Sequence, residues 1–87
     1  MKYSVPQYLE AFDSYFSPDE EVTHTNFKMV MTRKEHECSN IDEPHTIPSK
    51  SLVIRETGIH QDLGRVVSYV CLDCLNPWAD DIFSTND

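Results

Sequence analysis

The chain has 87 residues, 39% of them apolar, and a formal net charge of −8. A chain this short builds one small domain that hides only about 60% of its unfolded surface, yet it is too apolar for a disordered tail. No apolar run approaches the ~18 residues of a membrane span and MKYSVPQYLE has no signal-peptide core, so a soluble cytoplasmic chain is expected.

Residues 4–16, SVPQYLEAFDSYF, read as a helix. Ser4 suits the N-cap, Pro6 the first turn, and Tyr8, Leu9, Phe12 and Phe16 follow helical spacing. SPDEE then breaks it. Residues 22–33 alternate as a strand, with Phe27, Met29 and Met31 on one side and Lys28, Val30 and Thr32 on the other. Residues 38–50 are loop-like, holding Asn40, Asp42, Pro44 and Pro48. Strands are expected at 51–56 and 65–71, joined as a hairpin by the glycine-bounded turn GIHQDLG, 58–64. In LNPWADDIF, Asn76 suits an N-cap and Pro77 the first helical position, so a short helix is expected over 76–83, docked by Trp78 and Phe83. The last residues, STND, are expected to fray. The whole is one α+β domain: an N-terminal helix, a small antiparallel sheet and a short C-terminal helix.

Three cysteines in a cytosolic chain point to metal or redox chemistry, not a disulfide framework, and the odd count prevents complete pairing. Cys71 and Cys74 are spaced as Cys-x-x-Cys at the end of a strand, where both can reach one metal, and Cys38 supplies a third sulfur. A Zn²⁺ ion takes four such ligands in a tetrahedron, so a histidine or acid must complete the set. His36 is the first choice, because in extended backbone it shares a face with Cys38. His45 is the alternative fourth ligand, then His60, then His24. The bland reading makes Cys38 a small buried hydrophobe beside an incidental reduced pair. A thioredoxin-like reading fits less well, since that Cys-x-x-Cys precedes a long helix in a βαβ unit.

The runs TRKEHECSN, IPSKSLVIRETGI and GRVVSYVCLDC resemble small phage and bacterial zinc domains. Those domains are similar to treble-clef fingers: a knuckle, a β-hairpin, then a second knuckle at a helix N-terminus. The resemblance covers residues 32–83 and implies a treble-clef-like domain stabilised by structural Zn²⁺, possible phage origin and host-cytoplasm location. The chain departs from it at Ile41, where the family carries its second cysteine. The resemblance therefore leaves the fourth ligand open.

Enzyme readings fare poorly. A zinc deaminase needs His-x-Glu and Pro-Cys-x-x-Cys, whereas Glu37 directly follows His36 and no proline precedes Cys71. A site of three cysteines and one histidine has no open position for catalysis. A Cys38–His60 nucleophilic pair would still need an orienting group and an oxyanion hole.

The charge is unevenly spread. Residues 1–27 hold one base and five acids, 28–65 six of each, and 66–87 four acids and no base. Acidic ends are repelled by DNA phosphates and suit a basic protein surface. The leading expectation is a protein-binding inhibitor or regulator of nucleic-acid-binding machinery, imitating DNA charge through Glu10, Asp13, Asp19, Glu20, Glu21, Asp80 and Asp81. For each of these residues plain solubility is the commoner role. The alternative is a nucleic-acid-binding finger using Arg33, Lys34, Lys50, Arg55 and Arg65. A third reading is a structural or homodimeric partner joined through the aromatic and methionine stripes.

Overall fold

The computed structural model describes residues 2–15, 21–39 and 45–83. Phe16, Asp19, Glu20, Ile41, the proline of the 40–44 segment and STND, on which parts of the sequence reading rest, lie outside them. Helix α1 spans Val5–Tyr15. Ser4 and Gln7 cap it reciprocally: the Gln7 N–H donates to Ser4 Oγ at 3.3 Å, and the Ser4 N–H donates to Gln7 Oε1 at 3.0 Å. This is a capping box, satisfying two groups that a bare helix start leaves unpaired. Tyr8, Ala11 and Phe12 form its buried stripe.

Strand β1 spans Val22–Met31, β2 His36–Glu37, β3 Thr46–Ile47, β4 Leu52–His60 and β5 Gly64–Cys71. The main sheet has the order β1-β4-β5, antiparallel throughout, and β2 pairs with β3 in a separate ribbon. Helix α2 spans Leu72–Phe83 and packs against α1. Rows of cross-strand neighbours set the two sheet faces. Met29, Ile54 and Val70 form one row, with Ile54 and Val70 fully buried. Phe27 lies on the same face, its ring centroid 4.9 Å from that of Phe12. Lys28, Arg55 and Tyr69 form a row on the opposite face, and Val30, Val53 and Cys71 the next.

Several boundaries differ from expectation for local reasons. Strand β1 stops at Met31, because Thr32 turns into the core and latches the chain there. Its hydroxyl donates to the Pro48 carbonyl at 3.0 Å and accepts from the Ser51 N–H at 2.9 Å. Strand β4 runs on to His60, so the turn shrinks to Gln61–Leu63. Gly58 belongs to the strand, opposite an irregularity in β1 between Thr23 and Asn26. A Cβ at Gly58 would lie 2.4 Å from Val22 Cγ1, so this glycine serves close approach, not a turn. Gly64 does serve the turn, at φ +78°. A two-residue ribbon, β2–β3, occupies part of the region read as loop.

Helix α2 starts at Leu72, four residues before the expected Asn76 cap. Leu72, Leu75 and Ala79 give it an apolar stripe that the later start would have lost. Pro77 lies inside the helix, where its missing N–H forfeits the bond to the Asp73 carbonyl. Asn76 takes another role: its Oδ1 accepts the buried Tyr8 hydroxyl at 2.5 Å. Trp78 stacks on Tyr15, with ring centroids 5.8 Å apart.

Candidate metal centre

The site forms where the ribbon meets the end of the sheet. Cys71 is the last residue of β5, and Cys74 lies in the first turn of α2. Strand end followed at once by helix start bends the chain so that two side chains three residues apart converge. On the ribbon, the pairs His36–Ile47 and Glu37–Thr46 continue to Cys38 opposite His45, and the Cys38 N–H donates to the His45 carbonyl at 2.9 Å. Ser39 then ties the ribbon to the sheet edge. Its N–H donates to the Tyr69 carbonyl at 2.7 Å, and its hydroxyl accepts the Tyr69 N–H at 3.2 Å.

Cys38, His45, Cys71 and Cys74 consequently present one ligand atom each within 4.8 Å of one another. The sulfur separations are 3.9 Å for Cys38–Cys71, 3.7 Å for Cys38–Cys74 and 3.6 Å for Cys71–Cys74. His45 Nε2 lies 2.9 Å from Cys71 Sγ and 3.9 Å from Cys74 Sγ. A disulfide would hold two sulfurs at about 2.05 Å, so these are three free thiols. A tetrahedral ion with metal–sulfur bonds of about 2.3 Å holds its sulfurs about 3.8 Å apart. All three observed separations fall close to that value. Residues and spacing fit a four-coordinate metal site.

The electrostatics point the same way. The three cysteines are buried, and burial pushes the Cys71 thiol up, while the Cys74 amide and side chain pull it down. A cation bound beside Cys71 would offset that burial. The amino end of α2 adds partial positive charge beside Cys71 and Cys74.

His36, the first-choice ligand, is not in the cluster; His45, the alternative, is. Spacing alone would allow His36 and Cys38 to share an ion, but the His36 ring is engaged elsewhere. It meets the residue two before Cys71, stacking on Tyr69 with centroids 3.9 Å apart. Its place at the metal goes to the cross-strand partner of Cys38. Proximity across a short ribbon was the signal to look for, and a two-residue ribbon leaves no periodicity in the sequence to reveal it.

His60 lies at the far end of the β4–β5 hairpin. Its Nδ1 accepts the Asp62 and Leu63 amides at 3.1 and 3.2 Å, and its Nε2 faces Glu21 Oε2 at 2.9 Å. Both ring nitrogens are occupied, so the grouping of Glu21, His60 and Asp62 offers no imidazole to a cation, and no Cys38–His60 pair forms. His24, with φ 55° at the β1 irregularity, contacts Thr23 Oγ1 at 3.0 Å.

The seven acids singled out for partner binding divide. Glu10 and Asp13 on α1 and Asp81 on α2 are exposed. Glu21 pairs with His60. Asp80 is used inside the fold: it accepts the Tyr3 hydroxyl at 2.5 Å and pairs with Lys2 Nζ at 2.7 Å. Lys2, then Tyr3, hold its carboxyl below the usual range. Asp19 and Glu20 lie outside the described residues. Among the described residues no helix is long and apolar enough to cross a membrane. Comparison with family models, with curated proteins and with solved structures finds no match to this chain.

Proposed function

We propose that this chain is a small, non-catalytic binding module, treble-clef-like in plan, whose fold is held by one structural Zn²⁺ ion. The observation that carries this reading is the convergence of Cys38, His45, Cys71 and Cys74, with the three sulfurs spaced as in a tetrahedral site. Thiolate and imidazole donors in that number select zinc among common divalent ions, and four protein ligands leave no position open for a substrate. The ion supplies folding energy and nothing else. The ribbon, the sheet and α2 each contribute a ligand, so one ion ties three elements together.

The partner reading rests on the exposed carboxylates. Glu10, Asp13 and Asp81 project from the two helices that pack together, in a chain of net charge −8. Such a surface suits a protein with a basic, nucleic-acid-binding cleft, and the module would act as its inhibitor or regulator. Elemental analysis of purified protein tests the metal: about one zinc per chain is expected, and a melting curve unmoved by excess chelator would remove the reading. The partner is tested by binding to a purified basic DNA-binding protein, comparing the native chain with a Glu10→Lys, Asp13→Lys, Asp81→Lys variant. Loss of binding supports the acidic face, and undiminished binding overturns it.

A further inference from the structure

Seven bases face fifteen acids in this chain, yet four of the seven converge on one groove. Lys28, Arg33, Lys34 and Arg55 line a groove of about 760 Å³ beside β1, together with His36 and Tyr69, and no acid among the described residues lines it. Lys28 and Arg55 are direct cross-strand neighbours. Like charges so placed destabilise a sheet, and none of the four bases forms an ion pair among the described residues. Of the remaining three cations, Lys2 is paired with Asp80, whereas Lys50 and Arg65 lie outside the groove. Repulsion kept in the fold without a counter-ion among the described residues marks a place where an external anion fits. The stacked His36–Tyr69 rings, both half-buried, add a flat aromatic wall.

We infer that this groove binds single-stranded nucleic acid, with its cations on successive phosphates and the His36–Tyr69 wall against a base. Phosphate contacts from lysine and arginine combined with aromatic stacking constitute the usual platform for single strands. The alternation of positive groove and acidic helices disfavours a duplex, whose second strand would bring further phosphates toward an acidic molecule. The inference is independent of the acidic-face reading, and the groove lies on the sheet face opposite the packed Phe27–Phe12 core.

The test uses zinc-loaded full-length protein and a fluorescent 12-nucleotide oligothymidylate in an anisotropy titration across salt. Three to four phosphate contacts predict a slope of log K against log salt of about −2 to −3. Affinity should fall about 20–50-fold between 50 and 200 mM salt on that slope. Lys28→Ala with Arg55→Ala should flatten the slope by about 1.4, whereas Arg65→Ala, outside the groove, should leave it unchanged. His36→Ala should lower affinity about tenfold with the slope intact, as loss of stacking requires. Each variant is first checked by circular dichroism and zinc content. Absence of binding at 50 mM salt overturns the inference, as does a slope indifferent to the Lys28 and Arg55 changes. Equal affinity for a 12-base-pair duplex, or for an oligoglutamate with the same variant dependence, overturns the choice of ligand.

Discussion

Replacing His45 and replacing His36 with alanine should have unequal consequences for the metal. An 87-residue domain has a stability of about 4–13 kcal/mol. A structural zinc site contributes about 10–16 kcal/mol of binding at pH 7, so the ion rivals everything else in the fold. With free zinc at about 1,000 times Kd, linkage adds about 4.1 kcal/mol, equivalent to about 16–33 °C in Tm for a domain this small. Mutating groups that merely support a ligand costs 10–100-fold in affinity, so His45→Ala, which deletes a ligand 2.9 Å from Cys71 Sγ, should cost at least about 100-fold. That is about 2.7 kcal/mol and lowers Tm by about 11–22 °C. His36→Ala forfeits a ring stack worth about 0.5–1.5 kcal/mol, so through the shared ribbon it should lower zinc affinity by about tenfold at most. Competition against a chromophoric chelator measures the affinities, and substituted Co²⁺ reports the ligand set through its visible spectrum. Zinc lost from His36→Ala but retained with native affinity by His45→Ala would refute the geometric reasoning.

Two further outcomes follow from buried polar groups in the helical layer and the sheet. Tyr8→Phe removes a fully buried hydroxyl that accepts the Lys2 and Tyr3 amides at 3.1 and 3.3 Å and donates to Asn76 at 2.5 Å. Leaving those partners unmet should cost about 1–3 kcal/mol, read as a lower urea midpoint at constant m, and an unchanged midpoint would show that the hub is not structural. Glu56 is buried on the core-side face of the central strand, and burial raises its carboxyl above the ordinary value of 4.5. The folded chain then holds that proton more tightly than the unfolded chain, so this group's contribution is most favourable below pH 4.5 and is lost as pH rises through the raised value. Glu56→Gln should therefore raise Tm at pH 7 by a few degrees and have less effect at pH 4; a lower Tm at pH 7 would contradict this account.

How much of this was legible in the sequence depends on the range of each signal. Ser4 and Pro6 announced the start of α1 because capping is local chemistry, while the reciprocal bond from Gln7 emerged only in the structure. Phe27 and Met29 announced the core-facing side of β1 because a ten-residue strand gives alternation room to show, but Met31, expected beside them, is exposed where the strand ends. Cys71-x-x-Cys74 announced half of the metal-compatible cluster because both side chains come from one turn. Asn76-Pro77 misled because it carries the signature of a helix start, while the helix actually begins where the strand ends, with Leu75 and Ala79 buried and Leu72 half-buried along one stripe. Tertiary packing overrode a local cap. Gly58 misled in the same way: a glycine beside a turn reads as part of it, and only the neighbouring strand reveals the approach of Val22. His45 was hardest to place because its approach to Cys38 depends on pairing across the ribbon, and sequence order ranks the nearer His36 first.

That pairing has a consequence for the groove. The ribbon is tied to the sheet by two paired residues, the Ser39–Tyr69 hydrogen bonds, the buried Ile47 and the His36–Tyr69 stack. An isolated two-stranded piece is marginal in water even when longer than this. Cys38 and His45, at the ribbon's end, are the two ligands it lends to the metal, and His36 on the same short ribbon is a wall of the groove. An ion gripping Cys38 and His45 against Cys71 and Cys74 therefore also fixes where His36 lies over Tyr69. The candidate metal site and the proposed nucleic-acid surface share one element, so a bound ion would act on the groove by holding a two-residue ribbon against the edge of a sheet.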